Sequence, residues 1–202
     1  MAKVKQNTWL LAKAEILNKY AQKLPHKLDR IKLKFDYPEC GWLHVHVLKN
    51  DVEIGVIYFS DAYDTFVPLI EWLEYLATIS ECRSSAVNLD CEDMHHVFDY
   101  QPIWFYDGEP DNSYDRYPLE CGIFTWYEEV NHRFSLDAYC NTYQFIKDIY
   151  ESIISFAKEM RENPNFLEDW NCSPFLPEGW EYDEEDPRML DLFINRMTSP
   201  KI

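Results

Sequence analysis

Two histidines stand two positions apart in a stretch that alternates between apolar and polar residues. His44 and His46 fall within Trp42–Lys49, and alternate residues of a strand point to one face of the sheet. Neutral imidazole is a common ligand of transition metals, so the pair is a candidate for two ligands of a metal site. No third ligand follows at a recognised zinc spacing. The alternative is a pair of solvent-facing or hydrogen-bonded strand residues, and we expect no resident metal or cofactor.

A second group of reactive side chains occupies residues 90–96. It consists of Asp90, Cys91, Glu92, Asp93, His95 and His96. A carboxylate beside a histidine can transfer protons, and a cysteine beside a histidine can act as a nucleophile. Cys91 with His95, and Cys140 with His132, are the candidate nucleophile pairs. No local pattern supports either chemistry, and in a chain with 36 acidic residues neighbouring carboxylates also arise by chance.

Several enzyme classes leave fingerprints that this sequence lacks. It contains no GxSxG motif, no P-loop and no dinucleotide-binding motif. Only five glycines occur in 202 residues, which argues against a glycine-rich phosphate loop. These observations favour a non-enzymatic protein, with a small enzyme or metal-binding protein using His44, His46 and residues 90–96 as the alternative.

The charge of the chain is strongly acidic and unevenly distributed. The net charge is −17, yet residues 1–34 hold nine Lys or Arg against two Asp or Glu. An acidic body repels nucleic acid and steers a basic partner towards itself, so we expect a protein partner and no nucleic acid. The alternative is that the acidic residues only maintain solubility.

Acidic and aromatic residues are combined in an expected loop at 107–118 and in the segment 165–187. The segment 165–187 holds eight Asp or Glu, no Lys or Arg, and several aromatics. Charges that steer association and aromatics that anchor it are typical of tight protein–protein sites. A segment whose tryptophans only fix it to the core is the alternative. The predicted partner-binding residues are Asp107, Glu109, Asp111, Asp115, Trp180, Glu181, Asp183, Glu184 and Asp186.

The spacing of apolar residues predicts the elements that would position these groups. We predict an amphipathic helix over Thr8–Leu24 and a three-stranded meander over residues 31–59. A helix over Ala62–Ile79 follows, with Ser60 and Asp61 as the cap signal, while Pro68 also allows a start nearer Thr65. Further strands are predicted over 86–91, 94–100, 103–106, 119–130 and 133–139, followed by a helix over Thr142–Glu162 and a short helix near 188–197. Hairpin-linked strands with few helices indicate an α+β fold, an antiparallel sheet with helices mainly on one face. Residues 1–164 would form one domain, wrapped by an acidic, aromatic, largely irregular segment at 165–202.

The cysteines and the first residues bear on the expected compartment. Six scattered cysteines form no CxxC pair, and the first residues lack the features of an export signal. No apolar run is long enough to cross a bilayer. We therefore expect a protein with reduced thiols in a bacterial cytoplasm, with no membrane contact.

One stretch carries a resemblance to known proteins. Tyr58–Phe66 (YFSDAYDTF), leading into Leu69–Leu73 (LIEWL), resembles small bacterial α+β proteins that include immunity proteins of polymorphic and contact-dependent toxin systems. The likeness covers about residues 30–135 and rests on the hydrophobic pattern. It implies a cytoplasmic protein that binds and blocks one toxin, often a basic nuclease, through an acidic surface. The first hypothesis is therefore an immunity or inhibitor protein; a homo-oligomer that buries its exposed aromatics is a further possibility.

Overall fold

The structure is a computed structural model. It describes residues 27–78, 85–92, 94–106, 116–128, 133–163, 165–170, 186–199 and 202. The predicted helix Thr8–Leu24 lies outside the described residues, as do positions 107–115 of the predicted loop and positions 171–185 of the C-terminal segment.

Three strands form the first antiparallel sheet in the order of the chain. They are β1 (Ile31–Phe35), β2 (Trp42–Lys49) and β3 (Val52–Ser60). Asn50 and Asp51 both have positive φ, 54° and 65°, as a tight hairpin turn requires. The predicted meander is confirmed, and the register shifts between Val47 and Leu48.

Four strands form the second antiparallel sheet, again in chain order. They are β4 (Ser85–Cys91), β5 (Met94–Tyr106), β6 (Arg116–Glu128) and β7 (Arg133–Asn141). The α+β class is confirmed, and its strands divide into two sheets. Residues 94–100 and 103–106, predicted as separate strands, are one strand with an irregular register at Pro102–Trp104.

Four helices accompany the sheets in the described residues. They are α1 (Phe66–Thr78), α2 (Thr142–Arg161), α3 (Phe166–Asp169) and α4 (Pro187–Arg196). Asn141 caps α2 by accepting a hydrogen bond from the backbone N–H of Gln144, as predicted. Helix α1 begins four residues later than the predicted Ala62, because Asp64 accepts the backbone N–H of Val67 and so caps the helix there. No described helix has both the length and the apolar character to cross a membrane.

One hydrophobic core joins the sheets and helices. Phe66 of α1 contacts Phe156 of α2 and Phe193 of α4, with ring centroids 5.7 and 5.6 Å apart. Phe166, the first residue of α3, and Trp170, which directly follows α3, are almost completely buried in the same core. The described parts of the C-terminal segment therefore pack into the core rather than beside it.

The two sheets approach each other closely at two places. Asp29, just before β1, forms a parallel bridge with Cys140 of β7. Gly55 of β3 lies against the indole of Trp126 on β6, and a Cβ built at residue 55 would lie 2.7 Å from Trp126 Cη2. Only glycine allows this approach without a shift of the indole or the strand.

Candidate partner-binding surface

Both histidines of β2 lie on the outer face of the three-stranded sheet. The residues between and beside them, Leu43, Val45 and Val47, are fully buried. The side chain of His44 is 52% exposed and that of His46 is 18% exposed. The predicted placement of the pair on one face is confirmed, and this face points away from the core.

His46 is held between two carboxylates. Its Nε2 lies 2.8 Å from Asp36 Oδ2 and its Nδ1 lies 2.8 Å from Glu53 Oε2. The hydrogen bond to Asp36 and, after it, the one to Glu53 raise the pKa of His46, although partial burial opposes them. Only the imidazolium can donate to both oxygens at once. This bridge ties the end of β1 to β2 and β3.

The carboxylate bridge leaves His46 without a free nitrogen for a metal. His44, whose ring packs edge-on against Tyr58 with centroids 4.9 Å apart, would then be the single free imidazole of the pair. Within the described ranges, no three or more His, Cys, Asp or Glu side chains are grouped so as to hold a metal ion. Of the two interpretations of this pair, the geometry favours hydrogen-bonded strand residues.

The residues of 90–96 are divided between the two faces of the second sheet. Asp90 and His95 pair across β4 and β5, with Nδ1 and Oδ1 3.5 Å apart at a half-exposed position. Cys91 and His96 are buried. Burial raises the pKa of the Cys91 thiol, and that of Cys140, to about 12, so both thiols stay protonated near neutral pH. These side chains do not converge on one reaction centre, while Asp93 and His132 lie outside the described residues.

A groove of about 390 Å³ runs between β1 and α2. Its buried acid, Asp148, accepts hydrogen bonds from both Arg30 and Gln144. Ser152 accepts the backbone N–H of Leu33 on the same wall. Because the buried polar groups of the groove are partnered within the chain, we interpret them as structural.

The exposed aromatic residues gather at one end of the three-stranded sheet. Nine large hydrophobic residues are exposed in the described part of the chain, and four of them, Tyr37, Trp42, Tyr58 and Tyr63, lie in two short segments. We call residues 36–42, 58–65 and 165–170 the acidic–aromatic end. Within it, Trp42 and Tyr58 lie on the outer face. Tyr58 is opposite His44 in the register of β2 and β3, and Trp42 is two residues before His44 on β2.

Backbone and side-chain hydrogen bonds join the three segments of the acidic–aromatic end. The N–H of Gly41 donates to the carbonyl of Asp169 at 3.0 Å, and the N–H of Asp61 donates to the carbonyl of Gly41 at 2.9 Å. The Tyr37 hydroxyl donates to Asp169 Oδ2 at 2.7 Å. The φ angles of Cys40 and Gly41, 51° and 80°, form the tight turn that places Trp42 at the start of β2. These hydrogen bonds hold the three segments together where β2 begins and β3 ends.

The acidic–aromatic end is net acidic, although His46 and Lys34 pair with its Asp36. Its three segments contain six carboxylates and no Lys or Arg: Asp36, Glu39, Asp61, Asp64, Glu168 and Asp169. His46 lowers the pKa of Asp36 by hydrogen bonding, whereas burial raises the pKa of Asp64. The indole of Trp42 and the carboxylate of Glu39 make no hydrogen bond to another described side chain. Both are open to a partner.

The structure describes one of the nine predicted partner-binding residues, Asp186. Eight of the nine, from Asp107 to Asp115 and from Trp180 to Glu184, are outside the described residues. Asp186 is described, and its carboxylate caps α4 by accepting the backbone N–H of Arg188 and also binds the Arg188 guanidinium at 2.8 Å. That carboxylate is engaged within the chain. The alternation of Trp42–Lys49 was the signal that could have identified Trp42, since it places Trp42 on the face of His44.

Comparisons with protein-family models, curated proteins and solved structures find no match to this chain. The surface is therefore interpreted from its own chemistry.

Proposed function

We propose that this chain is a non-enzymatic protein-binding protein of the immunity or inhibitor type, which neutralises a cognate toxin by steric and electrostatic blockade. The observation that supports this most is the acidic–aromatic end. Trp42 is 38% exposed and Tyr58 is 40% exposed on an open sheet face. Tryptophan and tyrosine are the residues that most often dominate binding energy at protein interfaces.

Electrostatics defines the kind of toxin that the proposal concerns. A net charge of −17 attracts a basic protein over a long range and accelerates its association at low salt. Carboxylates around the aromatics would then pair with its lysines and arginines. A toxin domain with a basic surface fits this description, and occupying that surface would block its access to an anionic substrate.

Capture from the host cell and elution with a salt gradient tests the proposal. We expect one basic protein at stoichiometric yield, released as salt rises and identified by mass spectrometry. The variant Trp42→Ala/Tyr58→Ala should lose most of this capture. Tyr143→Ala is the matched control. Tyr143 is 72% exposed in the first turn of α2, whereas residues 165–170 follow the last turn of that helix, so this substitution should leave capture unchanged.

Protection of growing cells is the decisive functional readout. The captured protein, expressed alone, should arrest growth, and co-expression of the wild-type chain should restore it. Co-expression of the double variant should restore growth poorly at equal abundance. A captured protein that is harmless when expressed alone, or the capture of no basic protein at low salt, would refute the toxin-inhibitor function.

A further inference from the structure

We infer that the acidic–aromatic end recognises an arginine-bearing segment of a partner protein, with the guanidinium stacked on Trp42, near Tyr58, and paired with the carboxylate of Glu39. This inference deepens the proposed function and rests on it for the identity of the partner. It concerns one surface and one kind of side chain, so it can be tested without knowing the toxin.

The aromatic rings are available to a cation. Trp42 makes no ring contact with another described aromatic residue, and its outer-face position leaves the indole 38% exposed. Tyr58 lies diagonally across from Trp42 in the β2–β3 register and packs edge-on against His44. A cation over the face of tryptophan is held by the ring quadrupole, and an arginine plane also stacks on it.

Acidic residues at the turn before Trp42 supply the second half of the recognition, with Glu39 as the carboxylate that pairs with the guanidinium. Glu39 and Trp42 form a backbone bridge across the tight turn, so Glu39 stands beside the indole. The carboxylate of Asp61 lies against Gly41, where an added Cβ would approach Asp61 Oδ1 to 2.8 Å. A guanidinium presents donors in a fork that matches carboxylate geometry while its plane stacks on an aromatic ring, which an ammonium cannot do.

Charge argues against a second copy of this chain as the occupant. The three segments of the surface carry six carboxylates, and the flanking cations Lys34, His46 and Arg196 offset only part of that charge. Two copies of this net acidic patch would therefore repel each other. A cationic partner relieves that repulsion. The complementary surface is therefore a basic one from a different protein.

Three short capped peptides provide the test, with the full chain labelled for heteronuclear magnetic resonance. The first peptide is Gly-Arg-Gly-Arg-Gly. The second has lysine and the third has citrulline in place of both arginines. We expect the arginine peptide to shift the amide of Gly41 and the indole N–H of Trp42 most strongly. The lysine peptide should bind at least about threefold more weakly, and the citrulline peptide, which keeps the shape without the charge, should not bind measurably.

Variants distinguish stacking from general attraction to an acidic chain. Trp42→Leu, which keeps apolar bulk, should weaken binding of the arginine peptide at least about threefold, and Glu39→Gln should weaken it and reduce its salt dependence. Tyr143→Ala should have no effect. The largest shifts at another surface, equal binding of arginine and lysine peptides, or unchanged binding by Trp42→Leu would overturn the inference.

The outcomes separate this inference from the proposed function. If the arginine peptide binds at Trp42 but no captured protein behaves as a toxin that this chain neutralises, the surface is retained and the toxin-inhibitor role is rejected. If this chain neutralises a captured toxin, and Trp42→Leu captures that toxin as well as the wild type does, the role is retained and the surface is rejected.

Discussion

His46 in the three-stranded sheet and His96 in the four-stranded sheet both lie on strands that alternate in exposure. His46 faces outward between two carboxylates, with each ring nitrogen 2.8 Å from a carboxylate oxygen. His96 faces inward, is 5% exposed, and accepts a hydrogen bond at Nδ1 from the indole N–H of Trp126 at 3.3 Å. Because the indole can only donate, the single proton of the neutral ring lies on Nε2, which has no partner.

The comparison shows that the face of a strand sets the direction in which the pKa of a histidine moves, because it decides whether the ring meets carboxylates or the core. Asp36 and Glu53 raise the pKa of His46, so its charged form is stabilised in the folded chain. Burial, the largest cause, lowers the pKa of His96, against the opposing effect of Glu128 and with a further lowering by His95. Both start from the same ordinary value of 6.5.

These opposite shifts give opposite dependences of stability on pH. The stabilisation from His46 is fully present below pH 6.5 and is lost as the pH rises through its raised folded pKa. The stabilisation from neutral His96 is fully present above pH 6.5 and is lost as the pH falls towards its lowered folded pKa.

The largest expected loss of stability comes from a tryptophan between the two sheets, in contrast to a tryptophan on the outer face of the three-stranded sheet. Trp126→Ala should lower the free energy of unfolding by about 3–5 kcal/mol, because Trp126 is buried against Gly55 and His96 and its loss leaves a cavity between the sheets. Trp42→Ala on the outer face should cost no more than about 1 kcal/mol. Urea denaturation measures both, and equal losses would contradict the assignment of inner and outer faces.

An intermediate effect is expected at His96. His96→Phe should cost about 1–2 kcal/mol at pH 7.5, because the Trp126 N–H loses its acceptor in a buried site. This cost should shrink as the pH falls below 6.5, by no more than about 1.4 kcal/mol per pH unit. The wild type loses stability there because its buried His96 resists protonation, whereas phenylalanine does not titrate. Denaturation of both chains between pH 5 and 8 provides the comparison. A cost that grows on acidification would show that His96 is charged in the folded chain.

Much of the local structure could be predicted from the sequence because alternation is a local signal. The bounds Trp42–Lys49 agree with the prediction, and so does the Asn141 cap of α2. Of the two predicted starts of α1, the one near Thr65 is close to the observed Phe66 and the one at Ala62 is wrong, because Asp64, and not the Ser60–Asp61 signal, accepts a helical N–H.

The partners of each face could not be predicted, because they depend on register between strands. Asp36 and Glu53 are ten positions before and seven positions after His46. The register shift after Val47 places Glu53 opposite Leu48, within reach of His46. The interpretation of the histidines as metal ligands lacked this information. In the same way, nothing local indicated that residues 36–42, 58–65 and 165–170 would meet.

The smallest effect concerns the outer bridge itself. His46→Gln should lower the free energy of unfolding by roughly 1 kcal/mol at pH 6, because two charge-assisted hydrogen bonds at a partly exposed site are lost. The difference from wild type should shrink as the pH rises above 6.5, the reverse of the trend at His96. His44→Gln is the matched control: its Nδ1 is 3.9 Å from Asp36 Oδ2, beyond hydrogen-bonding distance, so its cost at pH 6 should be smaller than that of His46→Gln. If His46→Gln instead became more costly with rising pH, the imidazolium bridge would be wrong, and the two sheets would not differ in the way that their geometry requires.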